Sequence, residues 1–120
     1  MKAIISDIHG NIDALSAVWE DIKKQGPDEI LCLGDVVGYG PEPEACIDFV
    51  MEHCVFTLMG NHDYALIHGP LGFNQIAADI IRTTREIMLS HLSQQKVTDC
   101  FEPEYFPCAC RNQSPRCMLL

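Results

Sequence analysis

Apolar residues follow two different periods along this chain. KAIIS (residues 2–6), EILCL (29–33) and CVFTLM (54–59) are short continuous apolar runs, each predicting a buried strand. Between the first two, Ile12, Leu15, Val18, Trp19 and Ile22 recur at helical spacing. Asn11 is suited to cap that helix, and Gly26-Pro27-Asp28 stops it after Gln25. Pro43 suits the first turn of a second helix, running to about Glu52. After Gly69-Pro70 a long helix is predicted from Phe73 to about Leu92. Its apolar stripe is Ile76, Ile80 and Ile87 with their neighbours Ala77, Ile81 and Met88. Residues 1–92 therefore read β-α-β-α-β-α, an alternation that points to an α/β parallel sheet covered by helices. Neither period persists over residues 97–120, which Pro103, Pro107 and Pro115 interrupt, so an irregular tail is expected.

With 120 residues and 48% hydrophobic content, the chain suits one domain with a real core. No apolar run approaches the roughly 18 residues of a membrane span. The opening MKAIISDIHG lacks the pattern of a secretion signal, so a soluble cytoplasmic protein without membrane contacts is expected. Eight basic against 17 acidic residues give a net charge of −9. That argues against binding a nucleic-acid backbone, which needs a basic face. It is compatible with carboxylates gathered around cations. The seven cysteines are expected to be reduced thiols. Cys32, Cys46 and Cys54 fall in apolar segments and read as small core residues. Cys100, Cys108, Cys110 and Cys117 lie in the tail without the paired spacing of a zinc knuckle.

The polar chemistry collects at the strand ends. The first strand runs into Asp7-Ile8-His9-Gly10-Asn11, the second into Gly34-Asp35-Val36-Val37-Gly38, the third into Gly60-Asn61-His62-Asp63. From Asp7 to Asp35 is 28 positions and from Asp35 to Asn61 is 26, each about one βα repeat. In a parallel sheet, equal phase places all three clusters at the carboxyl edge, where open α/β sheets bind ligands. Asp7, His9, Asp35 and Asn61 offer two carboxylates, an imidazole and an amide oxygen. This donor set suits Mn²⁺, Fe²⁺ or Zn²⁺. Two aspartates at one edge repel unless cations lie between them. A carboxylate such as Asp35 can bridge two ions, and such a pair can clamp a phosphoryl group. Simpler roles account for other residues: Asn11 is a helix cap, and Tyr39 and Gly40 belong to a glycine loop. His68 reads as a surface or helix-end residue, His91 as a structural one on the long helix. His53 closes the second helix, where positive charge is favourable.

D-x-H, G-D-x-x-G and G-N-H-D, in that order at successive strand ends, resemble the calcineurin-like metallophosphoesterase superfamily. SDIHGNIDAL, CLGDVVGYGPEPEACI and GNHDYAL are similar to its small prokaryotic branch of phosphodiesterases and diadenosine tetraphosphatase relatives. The resemblance covers residues 1–92. It implies that residues 1–96 form the parallel-sheet half of an α/β/β/α sandwich, with 97–120 as a tail. It implies two divalent ions: Asp7, His9 and Asp35 hold the first, and Asp35 bridges to a second that Asn61 also binds. His62 and Asp63 are the implied catalytic residues, His62 facing the substrate and Asp63 orienting His62. The implied reaction is hydrolysis of a phosphomonoester or phosphodiester, in a small molecule or nucleotide, by a metal-bound hydroxide. The family's further strands, another ligand histidine and a late G-H-x-H do not follow here. The second metal site is therefore expected to be incomplete, and apolar surface to be left uncovered and open to self-association. A frameshifted truncation after about residue 96 is the expectation that follows. The alternative reading is a weakly active or inactive fragment, acting at most as a metal-binding or interaction module.

Overall fold

In the computed structural model, which describes residues 1–91, seven elements follow one another. They are β1 (Lys2–Ile5), α1 (Ile12–Gln25), β2 (Glu29–Cys32), α2 (Pro43–His53), β3 (Phe56–Thr57), α3 (Asn61–His68) and α4 (Gln75–His91). The three strands pair in the order β1-β2-β3, and both pairs are parallel. α1 and α2 are the crossovers that parallel pairing requires.

Register decides which side of the sheet is covered. Ala3 lies beside Ile30, and Ile5 beside Cys32, which in turn lies beside Thr57. Side chains alternate across a strand, so these residues share one face. Ile5, Ile30, Cys32 and Thr57 are buried there. The core of Leu15, Ile22, Cys46, Ile47 and Val50 from α1 and α2 is continuous with Ile5, Ile30 and Cys32. The alternate positions Ile4, Leu31 and Phe56 point to the other face, where Ile4 stays 62% exposed. Leu33 and Val55 are exposed as well. A groove of about 370 Å³ beside β1 is lined by Ile4, Leu15 and Val18 among others. The expected uncovered apolar surface is thus present among the described residues.

Each helix end has a local cause. The Asn11 side chain accepts from the Ala14 N–H at 3.0 Å, and Gly26 closes α1 in the left-handed conformation. Asn74 caps α4 in the same way, accepting from Ala77 at 2.9 Å. The helix therefore starts two residues later than the periodicity predicts, and Phe73 lies outside it.

Three expectations need correction. β3 has only two residues rather than six, and its run ends early because Met59 leads directly into the turn before α3. GNHDY opens a further helix, α3, between β3 and the long helix, where the β-α-β-α-β-α reading has none. On α4 the buried stripe is Ala77, Ala78, Ile81, Thr84 and Met88, whereas Ile76 and Ile87 are exposed. The helix turns its 77-81-84-88 row inward because α2 and α3 both pack against it. Val18 on α1 is likewise exposed. The predicted tail and its four cysteines lie outside the described residues. Among the described residues, Cys32, Cys46 and Cys54 are free thiols; burial pushes the first two up to about 11 and the third to about 12. No helix among them is long and apolar enough to cross a membrane.

Candidate metal centre

The loops after the strands are laced together by their backbones. Asp7 donates to the Gly34 carbonyl at 3.1 Å, His9 to the Asp35 carbonyl at 2.9 Å, and Gly10 to the Val36 carbonyl at 2.8 Å. This lacing sets the first loop directly over the second. Asp7, His9 and Asp35 all adopt positive φ, at 55°, 49° and 53°. Left-handed backbone is disfavoured for residues with a Cβ, and clusters of it mark functional sites.

The outcome is convergence. Asp7, His9 and Asp35 each offer a ligand atom within 4.8 Å of the others. The His9 ring is oriented by the backbone: its Nδ1 lies 3.1 Å from the Val37 carbonyl. A carbonyl can only accept, so Nδ1 carries the proton and Nε2 keeps its lone pair. That Nε2 faces Asp7 Oδ1 at 3.6 Å. A lone pair facing a carboxylate needs a proton or a metal cation between them. Ser6 Oγ donates to the other Asp7 oxygen at 2.6 Å, fixing the carboxylate.

Asn61 stands at the first position of α3, with its carboxamide against Asp35. With nitrogen turned inward it donates to Asp35 Oδ2 at 3.1 Å and to Oδ1 at 3.2 Å. The opposite orientation sets oxygen against two oxygens, and only a cation would relieve it. Both orientations suit a group that gives up a hydrogen bond to Asp35 when an ion arrives. Gly60 makes the close approach feasible: a Cβ there would lie 2.2 Å from Asp35 Oδ1. The site residues thus fit divalent cations by donor chemistry and by arrangement.

His62 is buried, with its ring among His9 (4.9 Å between centroids), Tyr39 (4.8 Å) and Phe73 (5.2 Å). Its Nδ1 is buried without a hydrogen-bond partner among the described residues, facing Gly38, where a Cβ would lie 2.5 Å away. Nε2 is the nitrogen left for chemistry. Burial holds the His62 pKa below the usual histidine value, and a proton on His9 would lower it further, so the fold favours the neutral ring.

Asp63 does not orient His62. Its carboxylate is fully buried and accepts four backbone N–H bonds. Oδ2 takes Asp35 at 2.7 Å and Gly60 at 2.9 Å; Oδ1 takes Val36 at 2.9 Å and Val37 at 3.2 Å. One side chain on α3 thereby ties down the loop that carries Asp35. The Gly60 bond is the reach-back half of a capping box, with Gly60 as cap and Asp63 three residues on. Burial pushes the Asp63 carboxyl up to about 6, against the downward pull of the N–H donors.

The sequence reading missed Ser6, the Val37 carbonyl and the two aromatic neighbours of His62. His68 ends α3 as expected, its ring beside Tyr64 at 4.2 Å, and is not among the groups at the centre. His53 stacks on Trp19 at 4.5 Å at the end of α2.

The model of the calcineurin-like phosphoesterases matches residues 3–108 of the chain. The chain belongs to the calcineurin-like phosphoesterase family. Its match covers β1 to α4 and runs on past residue 96 into the proline- and cysteine-containing segment. Members of this family are phosphoric ester hydrolases that use divalent metal ions. A solved metallophosphoesterase from Sphaerobacter thermophilus superposes with a TM-score of 0.65 at 35% identity, over 88% of this chain and 41% of that one. The uncharacterized protein MJ0912 of Methanocaldococcus jannaschii is 43% identical over 94 residues, 73% of this chain and 37% of that protein. A symmetrical bis(5'-nucleosyl)-tetraphosphatase of Psychromonas ingrahamii is 34% identical over 67 residues, 53% of this chain and 24% of that protein. The chain therefore spans between a quarter and about two-fifths of these relatives.

Proposed function

We propose that this chain carries the first metal-binding half of a hydrolase for phosphomonoesters or phosphodiesters. Asp7, His9 and Asp35 would hold one divalent ion of the Mn²⁺, Fe²⁺ or Zn²⁺ class, and Asp35 with Asn61 would contact a second. Ions there would supply Lewis-acid activation of water and neutralise charge on the phosphoryl oxygens. The protein's own contributions follow from its geometry. The Val37 carbonyl keeps the His9 lone pair on Nε2, and Asp63 holds the Asp35 loop through backbone N–H groups. Neutral His62 would donate a hydrogen bond from Nε2 to a phosphoryl oxygen or the leaving group. The named activity of the Psychromonas relative supports nucleotide phosphate esters as the substrate class. The observation that carries the reading is the convergence of Asp7, His9 and Asp35 on one point.

Calorimetric titration with Mn²⁺, alongside hydrolysis of bis(p-nitrophenyl) phosphate, tests it. Wild type is expected to bind Mn²⁺ and Asp35→Asn to lose most of that affinity and all metal-dependent turnover. Unchanged binding and turnover in Asp35→Asn would falsify the bridging role. The exposed apolar sheet face favours a second reading, a metal-binding module that lacks turnover on its own. It predicts Mn²⁺ binding with no hydrolysis.

A further inference from the structure

Tyr39 lies beside the metal centre yet is not packed away: it is 56% exposed. Its ring meets His9 edge-on at 5.2 Å and His62 at a tilt at 4.8 Å. Its hydroxyl makes no hydrogen bond among the described residues. The backbone there is left-handed, with φ of 62°, which is costly for a residue with a Cβ. Neighbours on both sides keep it there. Gly38 lies against the His62 ring, and the Gly40 N–H donates to the His9 carbonyl at 2.8 Å. Phe73, released from α4 by the Asn74 cap, contacts the same His62 edge-on at 5.2 Å. Two aromatic rings therefore flank the imidazole that faces the reacting group. A ring that served only the core would be buried, and the loop would gain from relaxing its φ.

Resting on the phosphoester reading above, we propose that Tyr39 is a specificity-determining platform that selects phosphate esters carrying a planar aromatic group, a nucleobase or an aryl ring. A solvent-facing aromatic surface fixed beside a phosphate site stacks any flat ring attached to that phosphate. An ester without such a ring leaves the platform unused.

Two matched ligand pairs test this on the Mn²⁺-loaded chain by calorimetry: AMP against ribose 5-phosphate, and phenyl phosphate against methyl phosphate. Wild type binds AMP about tenfold tighter than ribose 5-phosphate. A preference for phenyl over methyl phosphate extends the platform to aryl rings, and its absence confines it to nucleobases. Tyr39→Ala abolishes the preference while leaving the ring-free esters and Mn²⁺ affinity unchanged, and Tyr39→Phe retains it. Tyr39→Asn, whose side chain tolerates the left-handed backbone, repeats the loss without strain. Equal affinity for AMP and ribose 5-phosphate, or equal weakening of all four esters in Tyr39→Ala, overturns the inference and leaves the phosphoester reading standing. Failure of every ester to bind in the presence of Mn²⁺ overturns both.

Discussion

Gly60→Ala separates geometry from backbone preference at the metal centre. Gly60 has φ −76° and ψ 175°, an extended conformation that alanine adopts freely. The added methyl would nevertheless sit 2.2 Å from Asp35 Oδ1 and 2.4 Å from the Asp35 amide nitrogen. Ordinary contact begins at 3.4 Å, so Asp35 and Gly60 must separate by about 1.2 Å. Two hydrogen bonds span that gap, His62 N–H to Asp35 Oδ1 at 2.9 Å and Asp35 N–H to Asp63 Oδ2 at 2.7 Å. Bonds to charged acceptors contribute about 1.5–3 kcal/mol each, so losing both costs about 3 kcal/mol or more. Misplacing a site group by about 1 Å also weakens its function by about 100-fold. Linkage makes this readable as stability. At a Mn²⁺ concentration 100 times its Kd, wild type gains about 2.7 kcal/mol, whereas a variant bound 100-fold more weakly gains about 0.4 kcal/mol. Urea unfolding with and without Mn²⁺ measures both terms. Gly69→Ala is the control: Gly69 has φ of 98° and no neighbour within 4 Å among the described residues, so the change should lower stability by about 1 kcal/mol through strain alone. Its Mn²⁺ gain should match wild type. A Gly60→Ala protein with the full wild-type gain would refute the claim that this contact positions Asp35.

Other outcomes follow from single contacts. The Asp63 carboxyl rises from 3.8 to about 6 on folding, so the folded protein holds this proton more tightly than the unfolded chain. Its stabilising contribution is complete below pH 3.8 and is lost as pH rises through about 6; at 1.36 kcal/mol per pKa unit, it amounts to about 3 kcal/mol. Urea unfolding in metal-free buffer from about pH 4 to 7 should show this decline in wild type and a flatter profile in Asp63→Asn; parallel profiles would argue against it. Arg85 on α4 donates to the carbonyls of Leu66 at 2.7 Å and Ile67 at 3.4 Å, near the end of α3. Arg85→Ala should lower unfolding stability by about 1–2 kcal/mol and Arg85→Lys by less, since a single ammonium does not reproduce the guanidinium fork. Wild-type stability in Arg85→Ala would mean that these hydrogen bonds do not join the helices.

What the sequence determined by itself was local direction and phase. Asn11 and Gly26 mark the ends of α1 through their own backbone chemistry, and the pattern was legible there without any partner. The near-equal steps from Asp7 to Asp35 to Asn61 placed three polar clusters at one sheet edge, because parallel strands joined by crossovers repeat in phase. Tertiary structure decided what those groups touch. Asp63 looked like a partner for the adjacent imidazole, but its carboxylate meets N–H groups at residues 35 to 37, a loop 26 to 28 positions away. Ile76 and Ile87 have the same apolar character as Ile81, yet Ile81 is buried while the other two are exposed. Hydrophobic period gives a helix a stripe but not the identity of the surface it meets, and a carboxylate in a sequence carries no record of which buried donors need it. Those choices are made by packing between distant segments, the one quantity a local pattern does not contain.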